Sequence, residues 1–261
     1  MRIAALGFCC IDVYENINRH YATGNGIDCI INLSKKGIKS SAVTVVGTDQ
    51  YGKEMLETLN NYNIDTSHIQ VRDGYTSIYR MTLKNGTDRV HLENIEGVME
   101  NYAPTPEDIE FVKQHEFVHT DLTGKVLHLL PEIKNAGCKI VFDFSIRKNE
   151  DDLQKILPYV HYAFFSCEKK DDSIKDFLIY AKSFGPELVT ATYGEEGSMC
   201  YDGDNFYEHG INTVPVINTV GAGDSFIAGF IYGIMQGWDI PACLKSGADL
   251  SSEIVQLFNP Y

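Results

Sequence analysis

Apolar residues along the chain fall into two alternating patterns. Short runs rich in β-branched and aromatic residues predict strands, and longer stretches with apolar residues at helical spacing lie between several of them. This alternation favours a mostly parallel sheet covered by helices, because parallel strands need crossover connections. The predicted strands are RIAALGF (2–8), SAVTVVG (41–47), FVHTD (117–121), KIVFDFS (139–145), YAFFS (162–166) and ELVTATYG (187–194), and the predicted helices include DCIINLSKKG (28–37), YGKEMLETLNNYN (51–63) and VLHLLPEIKNAG (126–137).

One segment departs from this alternation. Residues 77–94 contain two alternating runs on either side of Asn85-Gly86, a pair that is typical of a tight hairpin turn. A tight hairpin cannot join neighbouring strands of a parallel sheet. The segment is therefore predicted to project as a lid or an interface flap.

The stretch NTVGAGDSFIAGF (218–230) places Gly221, Ala222 and Gly223 directly before Asp224 and an apolar helical pattern. At a helix N-terminus the first amides lack intrahelical acceptors and the helix dipole favours negative charge. Glycines that let the backbone approach closely would make an anion cradle there. A simple N-cap role for Asp224 agrees equally well with these residues alone.

Composition limits the classes of function. The chain has 261 residues, 44% of them hydrophobic, and its 22 basic and 36 acidic side chains give a net charge of −14. That length suits one large α/β domain or two small ones, and the charge argues against binding to nucleic acid or to an anionic membrane. No apolar run reaches the roughly 18 residues of a membrane span. Seven cysteines without a CxxC pair indicate reduced thiols, as in the cytoplasm.

Two glycine-rich stretches resemble nucleotide motifs but fail at a decisive position. GTDQYGKE (47–54) has Glu54 where a phosphate loop needs a hydroxyl for magnesium, and Phe226 occupies the third glycine of the dinucleotide fingerprint. TYGEEGS (192–198), which follows an apolar strand, is either a nucleotide turn or an ordinary strand connection. Both it and the Asp224 stretch are predicted to lie at strand carboxyl ends, where open α/β sheets bind ligands.

Three motifs, in order, resemble those of the ribokinase-like carbohydrate kinases. They are VGTDQYG (46–52), TATYGEEGS (190–198) and NTVGAGDSFIAGF (218–230). The resemblance implies an α/β fold, a three-layer α/β/α ribokinase-like domain over residues 1–261. A small β-sheet lid would come from segments near 12–22 and 75–97. It also implies ATP-dependent phosphorylation of a sugar with Mg²⁺.

The same resemblance implies roles for particular residues. Asp224 would be the general base that takes the proton of the sugar hydroxyl, while the backbone at Gly221, Ala222 and Gly223 would hold the transferring phosphoryl group. The remaining implied site residues are Asp12, Gly24, Asn25 and Asp28 for the sugar, Thr192, Gly194 and Gly197 for ATP, and Glu168 for water-mediated magnesium binding.

Further segments are similar to family members that phosphorylate a primary hydroxyl of an amine-linked ketose. They are CCIDVYENIN (9–18), TGNGIDCIINLSKKGI (23–38), RVHLENIEGVMENY (89–102) and VFDFS (141–145). We hypothesise that the extra charge of Asp28, where the family usually has Asn, favours an aminated substrate.

The alternatives are a kinase of another small sugar or a nucleoside, and a non-catalytic sensor of sugar or nucleotide. The sensor is motivated by departures from the family pattern at Thr23, Asp28 and Asn218, of which Asn218 replaces an acid that helps to hold a monovalent cation in some members. A short two-stranded lid is marginally stable alone, so a homodimer that pairs the lids is also predicted.

Overall fold

The computed structural model describes residues 1–84 and 88–261. Its strands are β1 (Arg2–Leu6), β2 (Cys10–Tyr14), β3 (Arg19–Thr23), β4 (Lys39–Gly47), β5 (Asp65–Arg72), β6 (Ile78–Lys84), β7 (Asp88–Ile95), β8 (Phe117–Asp121), β9 (Lys139–Asp143), β10 (Tyr162–Ser166), β11 (Leu188–Thr192), β12 (Ser198–Tyr201) and β13 (Phe206–His209). Its α-helices are α1 (Asn25–Lys35), α2 (Gln50–Asn61), α3 (Pro106–Val112), α4 (Leu130–Asn135), α5 (Glu150–Ile156), α6 (Ser173–Lys182), α7 (Ala222–Met235) and α8 (Ile240–Ile254).

The main sheet has the order β13-β12-β11-β10-β9-β8-β1-β4-β5. The seven strands β11, β10, β9, β8, β1, β4 and β5 pair in parallel. Strands β12 and β13 extend the sheet beyond β11 as an antiparallel edge. All six strands predicted from the apolar runs lie in this sheet. The prediction of a mostly parallel sheet is therefore confirmed.

Helices cover both faces of the main sheet. Successive residues of one strand point to opposite faces, so Val141 packs in a core cluster with Ile30 of α1 and Phe230 of α7. Its neighbour Phe142 packs in a second cluster that includes Leu178 of α6. The two cores on either side of one sheet confirm the three-layer α/β/α arrangement.

A second, smaller sheet has the order β3-β2-β6-β7. Strands β2 and β3 form one antiparallel pair, β6 and β7 form another, and β2 pairs with β6 in parallel. The predicted lid segments correspond to these two pairs, although the strands begin at Cys10 and end at Ile95. The turn predicted at Asn85-Gly86 lies outside the described residues.

The G-x-D-x-x-G element joins the two sheets. Asp49 caps α2 by accepting from the Gly52 amide at 2.9 Å, and it also accepts from the Thr76 hydroxyl at 2.6 Å. Thr76 Oγ1 in turn accepts from the Gly47 amide at 2.9 Å. A Cβ on Gly47 would lie 2.3 Å from the Gly74 carbonyl oxygen, so the close approach requires glycine. This element is a structural joint beside the second sheet.

Candidate active site

Helix α7 begins at the predicted anion cradle. Its N-cap is Gly221 at φ +71°, a left-handed conformation that favours glycine, and a Cβ there would lie 2.5 Å from the Cβ of Pro260. Asp224 is the third residue of the helix and is half-buried. The N-cap alternative for Asp224 is therefore wrong, because Gly221 occupies that position.

The three cradle residues differ in what surrounds them. The Ala222 amide donates to the Thr219 carbonyl at 3.3 Å, which partly satisfies it within the protein. Gly221 packs against Pro260, whereas Gly223 is exposed and a Cβ on it would meet no heavy atom within 4 Å. The space beside Gly223 is therefore where an anion could approach the first turn of α7.

A cavity of about 1010 Å³ opens in front of this turn. It is lined by Ala222 and Gly223 and also by Glu168, Thr192, Gly194 and Gly197, so the structure brings part of the cradle together with every residue predicted for ATP and magnesium. One wall is apolar. Its side chains include Ile211, Val214, Val216, Phe226 and Val255.

The T-x-G-x-x-G turn follows β11 at the edge of this cavity. Gly194 has φ +58° in open space, whereas Gly197 has φ +105° and a Cβ on it would lie 2.3 Å from the His209 carbonyl oxygen. Thr192 is the last residue of β11. The glycines thus serve two purposes, since one leaves room in the cavity and the other lets β13 approach.

The residues predicted for the sugar lie on β2, directly after β3 and in the first turn of α1, and this set is named the sugar wall. Asp12 lies in the middle of β2 and is 4% exposed. Gly24, at φ +145°, connects β3 to α1, and Asn25 is the first residue of that helix. Asp28, 1% exposed, accepts from the Thr23 hydroxyl at 2.6 Å. The loop predicted to bind substrate therefore joins the second sheet to helix α1.

Several carboxylates of the candidate site affect the pKa values of two buried thiols. Burial raises the pKa of Cys29, and the charges of Asp224, Asp143 and Asp28 raise it further. Burial likewise raises the pKa of Cys10, with added effects from Asp12 and Asp28. Helices α1 and α7, which begin at Asn25 and Ala222, also pack side by side.

Two acids at this edge were missed by the sequence reasoning. Asp121 and Asp143 end the paired strands β8 and β9. Asp143 accepts from Asn25 Nδ2 at 2.8 Å and from the Ser145 amide at 2.7 Å, and burial raises its pKa to about 6. Each of the two buried strands ends in an acid, and this pattern could have been found in the sequence. The carboxyl ends of parallel strands share one edge of a sheet, so the two acids would have been expected to lie there together.

Comparison with known proteins gives the family. Residues 10–261 match the pfkB family carbohydrate kinases. The chain belongs to this family. It is an ATP-dependent carbohydrate kinase, so the predicted class of enzyme is confirmed.

Two relatives of this kinase span almost its whole length. Fructoselysine 6-kinase of Escherichia coli (strain K12) is 31% identical over 254 residues, which cover 97% of each chain. Fructosamine kinase FrlD of Bacillus subtilis (strain 168) is 27% identical over 268 residues, which cover 100% of this chain and 93% of the relative. The predicted resemblance is thus confirmed.

Solved structures confirm the ribokinase-like fold. Arabidopsis thaliana ribokinase, complexed with ribose and ATP, superposes with a TM-score of 0.84 at 17% identity and covers 99% of this kinase and 93% of the ribokinase. A putative ribokinase II from E. coli gives a TM-score of 0.86 at 18% identity, with coverage of 99% and 94%. Within the described residues, no helix of the kinase is long and apolar enough to cross a membrane.

Proposed function

We propose that this kinase transfers the γ-phosphate of ATP to a primary hydroxyl of an amine-linked ketose such as fructoselysine. The observation that carries the proposal is the near full-length similarity to fructoselysine 6-kinase and to a fructosamine kinase. The acidic sugar wall supports it, because the linking amine of such a substrate is a cation at neutral pH. Asp12 and Asp28, two of the residues predicted for the sugar, would supply the negative charge that attracts it.

Asp224 is the proposed general base. The sugar oxygen attacks the γ-phosphorus as its proton passes to the Asp224 carboxylate, and the bond from that phosphorus to the β–γ bridging oxygen breaks to release ADP. The first turn of α7, open beside Gly223, would hold the phosphoryl oxygens. Gly221 would act by fixing the turn, since Pro260 covers it.

The cavity of about 1010 Å³ is the proposed ATP site. Thr192, Gly194 and Gly197 would contact the phosphates and ribose, and the apolar wall would cover the base. Among the described residues, no group of three or more His, Cys, Asp or Glu could hold a metal ion. Magnesium usually keeps several waters and binds through substrate phosphates, and the exposed Glu168 carboxylate on the cavity wall fits a water-mediated contact.

The first experiment measures ADP release and sugar phosphate formation with Mg-ATP against fructoselysine, other glycated amino acids, fructose, ribose and adenosine. Asp224→Asn is compared with Asp152→Asn, because Asp152 is also the third residue of its helix and half-buried. We expect selective turnover of glycated amines that Asp224→Asn abolishes and Asp152→Asn retains.

The other outcomes are equally informative. Faster turnover of fructose, ribose or adenosine would replace the proposed substrate while keeping the kinase chemistry. Binding of a glycated amine without ADP release above that of Asp224→Asn would favour a sensor. Full activity in Asp224→Asn would overturn the assignment of the base.

We also propose that residues 1–261 act as one kinase domain whose second sheet is a lid, and that two copies pair through it. The edge strand β7 exposes Val90, Leu92 and Ile95, and an exposed apolar edge favours pairing with another chain. Leu92→Glu should yield monomers by sedimentation at micromolar concentration, whereas Ile179→Glu on α6, where Ile179 is similarly exposed, should not. A monomeric unmodified protein would contradict the dimer.

A cytoplasmic location completes the proposal. All seven cysteines are free thiols, and most are buried. A reducing compartment keeps such thiols unpaired, and ATP is available in the cytoplasm. Fractionation of the native host, with the kinase followed by antibody, would test this location, and recovery in an extracytoplasmic fraction would contradict it.

A further inference from the structure

Residues 258–261 lie against the turn that begins α7. Pro260 packs on Gly221 so closely that a Cβ on the glycine would lie 2.5 Å from the proline Cβ. The Asn218 side chain donates from Nδ2 to the Phe258 carbonyl at 3.0 Å, and its Oδ1 accepts from the Val220 amide at 3.1 Å. Phe258 and Pro260 of this short segment therefore both contact the backbone that leads into the cradle.

The same residues also contact the second sheet. The Tyr261 hydroxyl donates to the Ala22 carbonyl of β3 at 2.7 Å, and Tyr261 is buried. The Phe258 ring packs edge-on against Tyr14 and Tyr21, with centroids 5.5 Å and 6.1 Å apart. Tyr21 lies directly opposite Asp12 in the pairing of β2 with β3. The segment thus touches the strand that carries the proposed sugar acceptor.

A third contact reaches α1. The buried Asn32 side chain donates from Nδ2 to the Pro260 carbonyl at 3.2 Å and to its own helix at the Asp28 carbonyl at 2.9 Å. Because α1 begins at Asn25, this contact connects the segment to the helix that carries the substrate loop. Three elements of the site therefore share one set of four residues.

We infer that residues 258–261 form a strap that fixes the spacing between the sugar wall and the Asp224 cradle, with Tyr261 as a positioning residue. This inference rests on the sugar site proposed above. Described residues that line the nucleotide cavity include none of these four. Loosening the strap at Tyr261, whose hydroxyl bonds to β3 and not to the α7 turn, is therefore expected to act on the sugar and to leave ATP binding unchanged.

Tyr261→Phe tests the strap, with Tyr102→Phe as the matched control. Both hydroxyls are buried and donate to a strand carbonyl, Tyr102 to Val43 at 3.1 Å on the opposite face of the main sheet. We expect Tyr261→Phe to raise the sugar KM about five-fold, the equivalent of one neutral hydrogen bond, with the ATP KM unchanged. Tyr102→Phe should leave both KM values unchanged at a similar loss of thermal stability.

A purely structural role gives a different result. If both variants lower kcat in proportion to the folded fraction and neither changes the sugar KM, the strap inference is overturned. An equal rise in the ATP and sugar KM values would overturn it too. Should Tyr261→Phe fail to fold, Phe258→Leu keeps an apolar side chain while removing the ring contacts, and the same split between the two KM values is expected.

A second measurement separates this inference from the proposed substrate. Hydrogen exchange of the β3 amides should be faster in Tyr261→Phe than in Tyr102→Phe, with exchange in β9 equal in both variants. Unchanged exchange in β3 would overturn the strap whatever sugar is phosphorylated. If the unmodified kinase phosphorylates no glycated amine, the proposed substrate is wrong. The hydrogen-exchange result would then still test the strap.

Discussion

Asn25 and Asp143, which are 118 residues apart in the sequence, meet through a 2.8 Å hydrogen bond from the amide of Asn25 to a carboxylate oxygen of Asp143. The bond ties the first residue of α1 to the end of β9. It therefore connects the loop that is proposed to bind the sugar to a buried strand of the main sheet.

We expect the Asp143 carboxyl to make sugar binding dependent on pH. Its pKa is raised by burial to about 6, so the group is ionised at neutral pH and becomes protonated as the pH falls below that value. The neutral acid accepts less strongly from Asn25 and from the Ser145 amide. We expect the sugar KM at saturating ATP to rise about ten-fold between about pH 7 and pH 5, following the ionised fraction.

Asp143→Asn is the control for that profile. The variant should show a raised sugar KM that no longer changes around pH 6, while its ATP KM follows that of the unmodified kinase. A pH profile with the same slope in both proteins would assign the titration to another group.

Removing the Asp49 side chain should lower the free energy of unfolding more than removing an ordinary helix cap. Asp49 and Asp239 each accept from the amide three residues later at 2.9 Å, but Asp49 alone of the two also binds Thr76. Asp239→Ala should lower the free energy of unfolding by about 1 kcal/mol. Asp49→Ala should lower it by about 2 to 4 kcal/mol, because buried Thr76 also loses a partner. Urea unfolding of both variants measures the difference, and equal losses would show that the joint adds nothing.

The two glycines of the nucleotide turn should respond differently to alanine. Gly194→Ala adds only the cost of a left-handed residue, about 1 to 2 kcal/mol, because its Cβ would point into open space. Gly197→Ala adds a collision with the His209 carbonyl, so it should also displace β13 and raise the ATP KM more strongly. Thermal unfolding and ATP kinetics of the two variants check this order, and a larger effect at Gly194 would contradict it.

His119 makes stability depend on pH in a defined direction. It is fully buried beneath α1, and burial lowers its pKa to about 4. Neither ring nitrogen has a hydrogen-bond partner within the described part of the chain. Below about pH 6.5 the unfolded chain binds a proton at this histidine, whereas the folded chain binds it only below about pH 4. The free energy of unfolding therefore decreases as the pH is lowered from about 6.5 to about 4.

The size of this effect follows from the two pKa values. Between about pH 7.5 and pH 5 the loss should be about 2 kcal/mol. Urea unfolding of the unmodified kinase and of His119→Leu at both pH values isolates it, because the opposing contribution of Asp143 is common to the two proteins. The same dependence on pH in both proteins would rule out His119 as the cause.

The main sheet could be predicted because its strands are buried on both faces. A run such as KIVFDFS has consecutive apolar residues at Ile140, Val141 and Phe142 with no polar alternation, and that signal does not depend on which strand lies beside it. The edge strand β5 was missed, since DTSHIQVR has one buried residue, Ile69, among polar residues and the exposed Val71. Strands at a sheet edge meet the core on one side only, so their composition resembles that of a loop.

The candidate site was predictable where local backbone chemistry defines it. Glycines before an acid at a helix start predict either an anion cradle or a capping acid, and the structure places this stretch at the start of α7 with Gly221 as the N-cap. The contacts of Asp143 and Tyr261 were not predictable, because each depends on a partner more than a hundred residues away. The residues next to Asp143 and Tyr261 in the sequence do not indicate which distant residue each one contacts.

The second sheet has a consequence for the order of folding. Its central pairing joins β2 to β6, and all of α1, β4, α2 and β5 lie between them in the chain. Closing so long a loop costs entropy before the pair contributes stability, so we expect this sheet to assemble after the β1–β4 pair. The amides of the second sheet should then exchange when this sheet opens while the main sheet stays intact. The energy barrier to such an opening would also limit the rate of product release.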